Sequence, residues 1–263
     1  MTPVAVRAAA AVLAAARRSG NALDRLPPDL VPPTIEDAYR VQLELHGQLR
    51  AERGPRGGWK IGCTTAVMQA YLGIASPSAG TLYARTIGHG EGRFTAGSNR
   101  LGVECELAVR LGSDLVGDAA HDPVAVTDAL AAVMAAIEVV EDRYVDYTRL
   151  DAGTLVADDF FGAGCVLGPE LIDWRGLDLG GITASMAING AEVGRGTGSD
   201  ILGDPLRALT WLAATAADLG APLRAGEIVL LGSLVQTNWV AAGDRVIVRN
   251  DPLGEVRAAF EAP

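Results

Sequence analysis

A segment of alternating residues between positions 101 and 111 places the strongest constraint on how this chain can fold. Its odd positions from Val103 to Leu111 are apolar, and the even positions between them include Glu104 and Glu106. Successive side chains of a β-strand point to opposite faces, so this period of two predicts a strand with one apolar face. Both glutamates then lie on the other face. Solvated glutamates on the wet face of an antiparallel strand give the same pattern.

A third carboxylate, Glu138, lies inside the apolar segment 135–140. A glutamate among apolar neighbours is expected to be buried, and a buried carboxylate needs a cation, a hydrogen-bond network or a raised pKa. Together with Glu104 and Glu106 it would complete a site for a hard divalent cation. Residues 122–144 can also form one amphipathic helix with Glu138 on its surface, and the pattern alone leaves both interpretations open.

The net charge and the spacing of the cysteines argue against several classes of function. The chain has 263 residues, a formal net charge of −10 and no cluster of lysine and arginine, so we expect no binding to nucleic acid or to a membrane. Its three cysteines are widely spaced among apolar residues, so we expect free buried thiols rather than disulfides or a zinc site. The three histidines are scattered, which also argues against zinc.

The N-terminal part is expected to be helical. Its alanine-rich segment at residues 8–16 is too weakly hydrophobic to span a membrane, and the arginines around it do not fit a signal peptide, so we expect a cytoplasmic protein. Helices are predicted over residues 4–18 and 35–53, with a proline-rich segment between them. Thr34 is a natural N-cap for the second helix. We place this helical section at residues 1–57.

Residues 58–263 are predicted to form one α+β domain. Short β-like segments and glycine-rich turns favour a mixed β-roll over a doubly wound parallel sheet. Predicted strands cover residues 58–63, 103–111, 165–167, 182–188, 228–231, 245–249 and 256–260. Predicted helices cover residues 65–71, 123–137 and 205–219. A further strand is expected to end at Asp158 and Asp159, and the glycine-rich segments 88–92 and 194–198 are expected to be turns.

Lys60 is unusual because it lies within the short apolar segment Gly58-Trp-Lys-Ile-Gly62. One interpretation is an edge strand, where a lysine prevents pairing with other chains. The alternative is a lysine that faces a pocket, where it would bind a carboxylate or take part in proton transfer.

Several motifs follow one another along nearly the whole chain. They are Gly58-Trp-Lys-Ile-Gly62, Val103-Glu-Cys-Glu-Leu107, Ala136-Ile-Glu-Val-Val140, Val156-Ala-Asp158, Gly203-Asp-Pro-Leu206, Gly226-Glu-Ile-Val-Leu230 and Gly232-Ser-Leu234. In this order they closely resemble the 2-keto-4-pentenoate hydratase and 4-oxalocrotonate decarboxylase family of the fumarylacetoacetate hydrolase superfamily. The resemblance implies that superfamily's β-roll for a catalytic domain at 58–263, and an assembly of two or more identical chains.

The resemblance also implies which residues form the site. The implied ligands of Mg²⁺ or Mn²⁺ are Glu104, Glu106 and Glu138. The implied catalytic residues are Lys60 and Asp158, and the expected substrate contacts are Phe160, Phe161 and Ser233. We expect Lys60 to orient the substrate or move a proton, and Asp158 to hold Lys60 or a water molecule.

The reaction that the resemblance implies is water addition to a 2-hydroxy-2,4-dienoate or 2-oxo-enoate through a metal-stabilised enolate. Decarboxylation of a 2-oxo-3-enedioate of the 4-oxalocrotonate type is one alternative, and a non-catalytic oligomeric relative is another. The chain departs from the family pattern in two places. Ala75 and Ser78 occupy a segment where the family carries an acid, and Phe160 and Phe161 occupy positions where it has small residues. The phenylalanines are expected to make the pocket smaller or more apolar.

Overall fold

Two helices begin the chain, as predicted. Helix α1 spans Pro3–Ser19, helix α2 spans Ile35–Arg53, and the two pack against each other. The Thr34 hydroxyl caps α2 by accepting a hydrogen bond from the Asp37 amide at 3.1 Å. The computed structural model describes residues 1–65, 69–70, 73–97 and 99–263.

The described part of the chain contains twelve strands in two sheets. They are β1 (Arg56–Gly62), β2 (Ser78–Tyr83), β3 (Ile87–His89), β4 (Glu91–Thr95), β5 (Arg100–Leu111), β6 (Leu130–Asp142), β7 (Gly162–Leu167), β8 (Thr183–Ile188), β9 (Ala191–Thr197), β10 (Ile228–Val240), β11 (Arg245–Asp251) and β12 (Gly254–Glu261). The larger sheet has the order β2-β1-β10-β5-β6-β7-β3, and the smaller has the order β4-β12-β11-β8-β9. Each sheet mixes parallel and antiparallel pairs, which confirms the predicted α+β class.

Three further helices lie between the strands of the described residues. They are α3 (Pro123–Asp128), α4 (Ala152–Ala157) and α5 (Pro205–Asp218). Helix α5 agrees with the helix predicted over 205–219. The helix predicted over 65–71 falls mainly on residues 66–68 and 71, which lie outside the described part.

The helix predicted over 123–137 is wrong beyond its first turns. Helix α3 ends at Asp128, and β6 begins at Leu130. Strand β6 is buried on both faces over most of its length, so its sequence is almost continuously apolar and shows no period of two. Its many alanines favour a helix locally, but pairing with β5 and β7 imposes the strand.

Two shorter predictions are also wrong. The residues before Asp158 form helix α4 rather than a strand, and the Asp151 side chain caps this helix by accepting from the Thr154 amide at 2.7 Å. The glycines of 194–198 lie largely in β9 rather than in a turn. Glycine lowers strand propensity, which hid this strand in the sequence.

The helical section and both sheets share one continuous hydrophobic core. Leu13 of α1, Leu45 of α2 and Val103 of β5 all belong to the same buried cluster. The division between 1–57 and 58–263 falls inside β1, and it stays a prediction. None of the described helices is both long and apolar enough to cross a membrane.

Candidate metal centre

The three predicted carboxylates lie together in the middle of the larger sheet. Strand β5 runs between β6 and β10, which places Glu104 opposite Glu138 and Glu106 opposite Ser233. Directly opposed side chains of an antiparallel pair share one face, and positions two apart on β5 share that face as well. One carboxylate oxygen from each glutamate therefore lies within 4.8 Å of the other two.

Burial sets the charge state of this cluster. Glu106 and Glu138 are each only 1% exposed, whereas Glu104 is half-buried. Burial raises the pKa of Glu106 well above its ordinary value, and repulsion by Glu138 and Glu104 adds to the shift. Burial also raises the pKa of Glu138 to about 7, against the attraction of Lys60. Three carboxylates this close favour either protonation or a bound cation.

The hydrogen bonds of the cluster show that it fits a hard divalent cation. The Gly232 amide donates to Oε2 of Glu106 at 2.7 Å, and the Thr237 hydroxyl donates to Glu104. Oε1 of Glu106 is buried without a hydrogen-bond partner among the described residues, and Oε1 of Glu138 has only its ion pair with Lys60. An unsatisfied buried carboxylate oxygen is costly, and a metal ion removes that cost. The donor set consists of carboxylate oxygens, which Mg²⁺ and Mn²⁺ prefer.

Lys60 lies beside the carboxylates, and its side chain is only 3% exposed. Its Nζ is 3.3 Å from Oε1 of Glu138 and donates a hydrogen bond to the Phe160 carbonyl at 2.8 Å. Burial alone would lower the pKa of Lys60, but the attraction of Glu138 and Glu104 outweighs it and raises the pKa. Strand β1 is hydrogen-bonded on both sides, to β2 and to β10. The edge-strand interpretation of Lys60 is therefore wrong.

The backbone after α4 is strained where it meets Lys60. Three consecutive residues have left-handed φ angles, which are 53° at Asp159, 49° at Phe160 and 66° at Phe161. Such angles cost of order 1 kcal/mol or more at each non-glycine residue and persist only where surrounding contacts hold them. This conformation turns the Phe160 carbonyl towards Lys60.

Side chains from three other parts of the fold hold this segment. The Asp158 carboxylate accepts from Nε of Arg17 at 2.7 Å, from Nε of Arg143 at 2.9 Å and from the Tyr144 hydroxyl at 3.0 Å. Attraction by the two arginines outweighs burial and lowers the pKa of Asp158. The Asp159 carboxylate accepts from the Thr81 amide and hydroxyl at 3.0 and 2.8 Å.

The structure gives Asp158 different partners from the one that we expected. Its carboxylate is bound by Arg17, Arg143 and Tyr144, and the ion-pair partner of Lys60 is Glu138. The expectation that Asp158 holds Lys60 is therefore wrong, because the two arginines already neutralise this carboxylate. Its assignment as a catalytic residue stays a prediction.

The three expected substrate contacts lie in different surroundings. The buried Phe160 ring lies 5.5 Å from Nζ of Lys60, so this residue adjoins the carboxylate cluster. The Phe161 ring makes edge contacts with Tyr144 and Tyr147 at centroid distances of 6.2 and 5.5 Å. The Ser233 hydroxyl donates to the Val235 carbonyl at 2.7 Å. Their contacts with substrate stay predictions.

Sequence reasoning missed the roles of two buried arginines and one signal. Arg17 and Arg143 are buried. The helical period places Arg17 on the same face as Val6 and Leu13, which separates it from its exposed neighbour Arg18. The missed signal concerns Lys60, which is the only lysine among the 22 lysines and arginines of the chain. A chain that otherwise uses arginine throughout and keeps one buried lysine points to a specific need for an ammonium group.

Comparison with known proteins agrees with this arrangement. The family model described as fumarylacetoacetate (FAA) hydrolase C-terminal matches residues 77–261. A 2-keto-4-pentenoate hydratase of Paraburkholderia xenovorans is 35% identical over 265 residues, which cover 100% of this chain and 97% of that protein. Another of Burkholderia vietnamiensis is 38% identical over 225 residues, which cover 85% of each.

The fold is also similar to a solved enzyme. The 4-oxalocrotonate decarboxylase from Pseudomonas putida G7, complexed with magnesium and adipate, has a TM-score of 0.91 and 27% identity. The match covers 99% of this chain and 98% of that one. Arg17 and Lys60 lie before the segment that the family model matches, so the similarity of these whole chains extends the comparison to them. The chain therefore belongs to the fumarylacetoacetate hydrolase family.

Proposed function

We propose that this protein is a divalent-metal-dependent hydratase, a carbon–oxygen lyase that adds water to a 2-hydroxy-2,4-dienoate or 2-oxo-enoate. The observation that carries the proposal is the position of the only lysine beside three clustered carboxylates. Full-length similarity to proteins named 2-keto-4-pentenoate hydratase supports the reaction and the substrate class.

Glu104, Glu106 and Glu138 would hold Mg²⁺ or Mn²⁺ as the cofactor. A bound divalent ion supplies a Lewis acid that polarises the carboxylate and the 2-oxygen of the substrate. Three protein carboxylates would supply fewer ligands than such an ion takes, so this set would leave room for substrate oxygens. The unpartnered Oε1 of Glu106 supports this assignment.

Lys60 would bind the substrate's acid group or move a proton to its carbon chain. An ammonium group has three N–H donors, of which the Phe160 carbonyl takes one. The nearby Glu138 keeps Lys60 charged, which favours binding of the substrate's acid group. Phe160 would form an apolar wall for the diene, with Phe161 and Ser233 as further substrate contacts. Asp158 would act by fixing the backbone that holds Lys60.

Decarboxylation of a 2-oxo-3-enedioate is the second candidate. The fold similarity to a 4-oxalocrotonate decarboxylase favours it. Both reactions need the charge that develops on the 2-oxygen to be stabilised, so the same carboxylates and lysine serve either of them. The reactions differ in what leaves or enters at the far end of the substrate.

Two substrates separate these candidates. Protein treated with EDTA and then supplied with Mg²⁺ or Mn²⁺ should consume 2-hydroxypenta-2,4-dienoate, measured as loss of its ultraviolet absorbance. It should release little CO₂ from 4-oxalocrotonate. The reverse preference would make the protein a decarboxylase. Absence of turnover with both, together with absence of metal binding, would leave the non-catalytic relative.

Variants link the activity to the site. Lys60→Ala and Glu106→Gln should each lower kcat by at least about 100-fold, because each removes a group that contacts substrate or cofactor. The control is Glu91→Gln, which changes an exposed glutamate on β4 and should leave kcat unchanged. Full activity of Lys60→Ala would remove Lys60 from the mechanism.

We also propose that the protein acts in the cytoplasm as a homo-oligomer of two or more chains, as family members commonly do. Light scattering after gel filtration at micromolar concentration would measure the mass. A monomer with full activity would contradict this part of the proposal.

A further inference from the structure

Arg17 connects the N-terminal helix to the backbone that contacts Lys60. It lies in the last turn of α1, and its side chain is 1% exposed. Its Nε donates to the Asp158 carboxylate at 2.7 Å, and its Nη2 donates to the Asp158 carbonyl at 2.8 Å and to the Asp159 carboxylate at 3.0 Å. One guanidinium group therefore binds both side chains and the backbone between them.

The Lys60 contact follows directly from this anchor. Phe160 comes next after Asp159 in the left-handed segment, and its carbonyl accepts the Lys60 hydrogen bond at 2.8 Å. On the other side, Gly80 of β2 lies so close that a Cβ there would be 2.9 Å from the Asp159 carbonyl oxygen and 3.0 Å from Cε of Lys60. The Lys60 side chain thus lies between β2 and a backbone segment that Arg17 fixes.

Arg143 holds the same segment from the other end. Its Nη2 donates to the Asp158 carbonyl at 2.9 Å, and its Nη1 donates to the Phe161 and Gly162 carbonyls at 3.3 and 3.2 Å. Among the described residues Arg143 makes no hydrogen bond or ion pair with Asp159, and Thr81 holds only Oδ1 of that carboxylate. Arg17 is therefore the cation that holds Oδ2 of Asp159.

We propose that Arg17 is a positioning residue for Lys60, and that the N-terminal helix completes the active site by holding the Asp159–Phe160 backbone. The catalytic part of this proposal rests on the proposed function, in which Lys60 contacts the substrate. The positional part concerns only the conformation around Lys60. A guanidinium is needed because its planar fork reaches three acceptors at once, whereas an ammonium is a single point charge.

The single lysine makes this proposal measurable without substrate. Reductive methylation with formaldehyde and borohydride modifies amines, so in the wild type it reports on Lys60 and the N-terminus alone. In Arg17→Lys, peptide mapping separates Lys60 from the amine introduced at position 17. Methylated Lys60 blocks tryptic cleavage, which mass spectrometry detects. We expect slow labelling in the wild type, and at least about tenfold faster labelling in Arg17→Met and Arg17→Lys, because the Phe160 contact is lost.

The kinetic effect should fall on kcat. Misplacement of a reacting group by about 1 Å costs about 100-fold in rate, so Arg17→Met should lower kcat by about that factor with KM within threefold of wild type. Metal stoichiometry and affinity should stay within threefold, since the glutamates lie on the central strands. Arg17→Lys keeps the charge but should recover less than a tenth of the lost kcat.

The matched control is Arg18→Met, which removes the next arginine of the same helix and its exposed ion pair with Glu52. It should match the wild type in labelling, kcat and metal affinity. If Arg17→Met does not fold, Arg17→Lys decides the question alone. Wild-type labelling and kcat in Arg17→Lys would overturn the proposal, because a single positive charge would then position Lys60 without the planar guanidinium. An inactive wild type with faster labelling in both variants would refute the proposed function but leave the positional role standing.

Discussion

Replacing Glu106 with glutamine should stabilise the metal-free protein at pH 8 instead of weakening it. Glu106 is buried, and one of its oxygens has no hydrogen-bond partner among the described residues. Its neighbours Glu104 and Glu138 contribute oxygens within 4.8 Å. Without a bound metal ion, a third negative charge in this space opposes folding. A glutamine removes that charge, and its amide can donate to the remaining carboxylates.

The expected gain is about 2 kcal/mol. Two unit charges 4.8 Å apart repel by about 3.5 kcal/mol at an effective dielectric constant of about 20. Protonation relieves part of this repulsion in the metal-free protein, because burial and the neighbouring carboxylates raise the pKa of Glu106. The relief is incomplete. At pH 8 the unfolded chain has released this proton, so keeping it in the folded state lowers the free energy of unfolding.

The gain should depend on pH with a definite sign. A carboxyl whose pKa is raised on folding keeps its proton in the folded state while the unfolded chain releases it. Stability therefore falls as pH rises from the unfolded value towards the folded one, by about 1.4 kcal/mol per unit. For Glu138, between its ordinary pKa of 4.5 and its folded pKa of about 7, the loss reaches about 3 kcal/mol. Glu106 adds to this loss only in the wild type.

Urea denaturation of EDTA-treated protein at pH 5 and pH 8 measures these terms. The free energy of unfolding should differ little between Glu106→Gln and wild type at pH 5, and should favour the variant at pH 8. Adding Mg²⁺ at about 100 times its Kd should stabilise the wild type by about 2.7 kcal/mol and leave the variant unchanged. The exposed substitution Glu91→Gln should stay within about 0.5 kcal/mol of wild type throughout.

Two results would refute this reasoning. One is a metal-free variant that is less stable than wild type at pH 8, which would mean that Glu106 is stabilised by contacts other than a cation. The other is an equal difference between the two proteins at both pH values, which would mean that ionisation of Glu106 does not oppose folding.

Three further perturbations test other parts of the site. Gly80→Ala should lower the free energy of unfolding by about 1–3 kcal/mol and should also lower kcat, because its Cβ would lie 2.9 Å from the Asp159 carbonyl oxygen. Gly47→Ala has nothing within 4 Å of its Cβ and should lower neither quantity. Asp158→Asn should cost about 3 kcal/mol in urea denaturation, because it leaves two buried arginines with less compensating charge. The affinity for Mg²⁺, measured by calorimetry, should fall at least about tenfold between pH 8 and pH 6, because the metal binds the ionised forms of Glu138, whose folded pKa is about 7, and of Glu106, whose pKa is also raised.

The sequence predicted β5 well and β6 poorly for the same physical reason. Strand β5 keeps polar residues on one face near its centre, so its period of two is visible and both glutamates are assigned to one face. Strand β6 is buried on both faces, so its apolar sequence is compatible with a helix. The role of Glu138 was therefore predicted from the family resemblance and from its apolar neighbours, while its position directly opposite Glu104 follows only from the strand register.

The segment around Asp158 shows what local sequence could not give. The left-handed angles at Asp159, Phe160 and Phe161 are unfavourable for these residue types, so local preference argues against the observed backbone. The conformation depends on Arg17, which lies 141 residues away from Asp158 in the chain. The helical period of α1 places Arg17 on the buried face with Val6 and Leu13, but it does not indicate which distant residues the guanidinium contacts.

The two halves of the site differ in how easily they can change. The carboxylates are fixed by the register of three hydrogen-bonded strands, and moving one of them requires a shift of the whole ladder. The surroundings of Lys60 depend on a strained segment that a few ion pairs hold in place, so single substitutions there can alter its position. The carboxylate cluster can thus stay the same while the surroundings of Lys60 change. The N-terminal helix contributes to this part of the site, because its Arg17 guanidinium holds the strained segment that contacts Lys60.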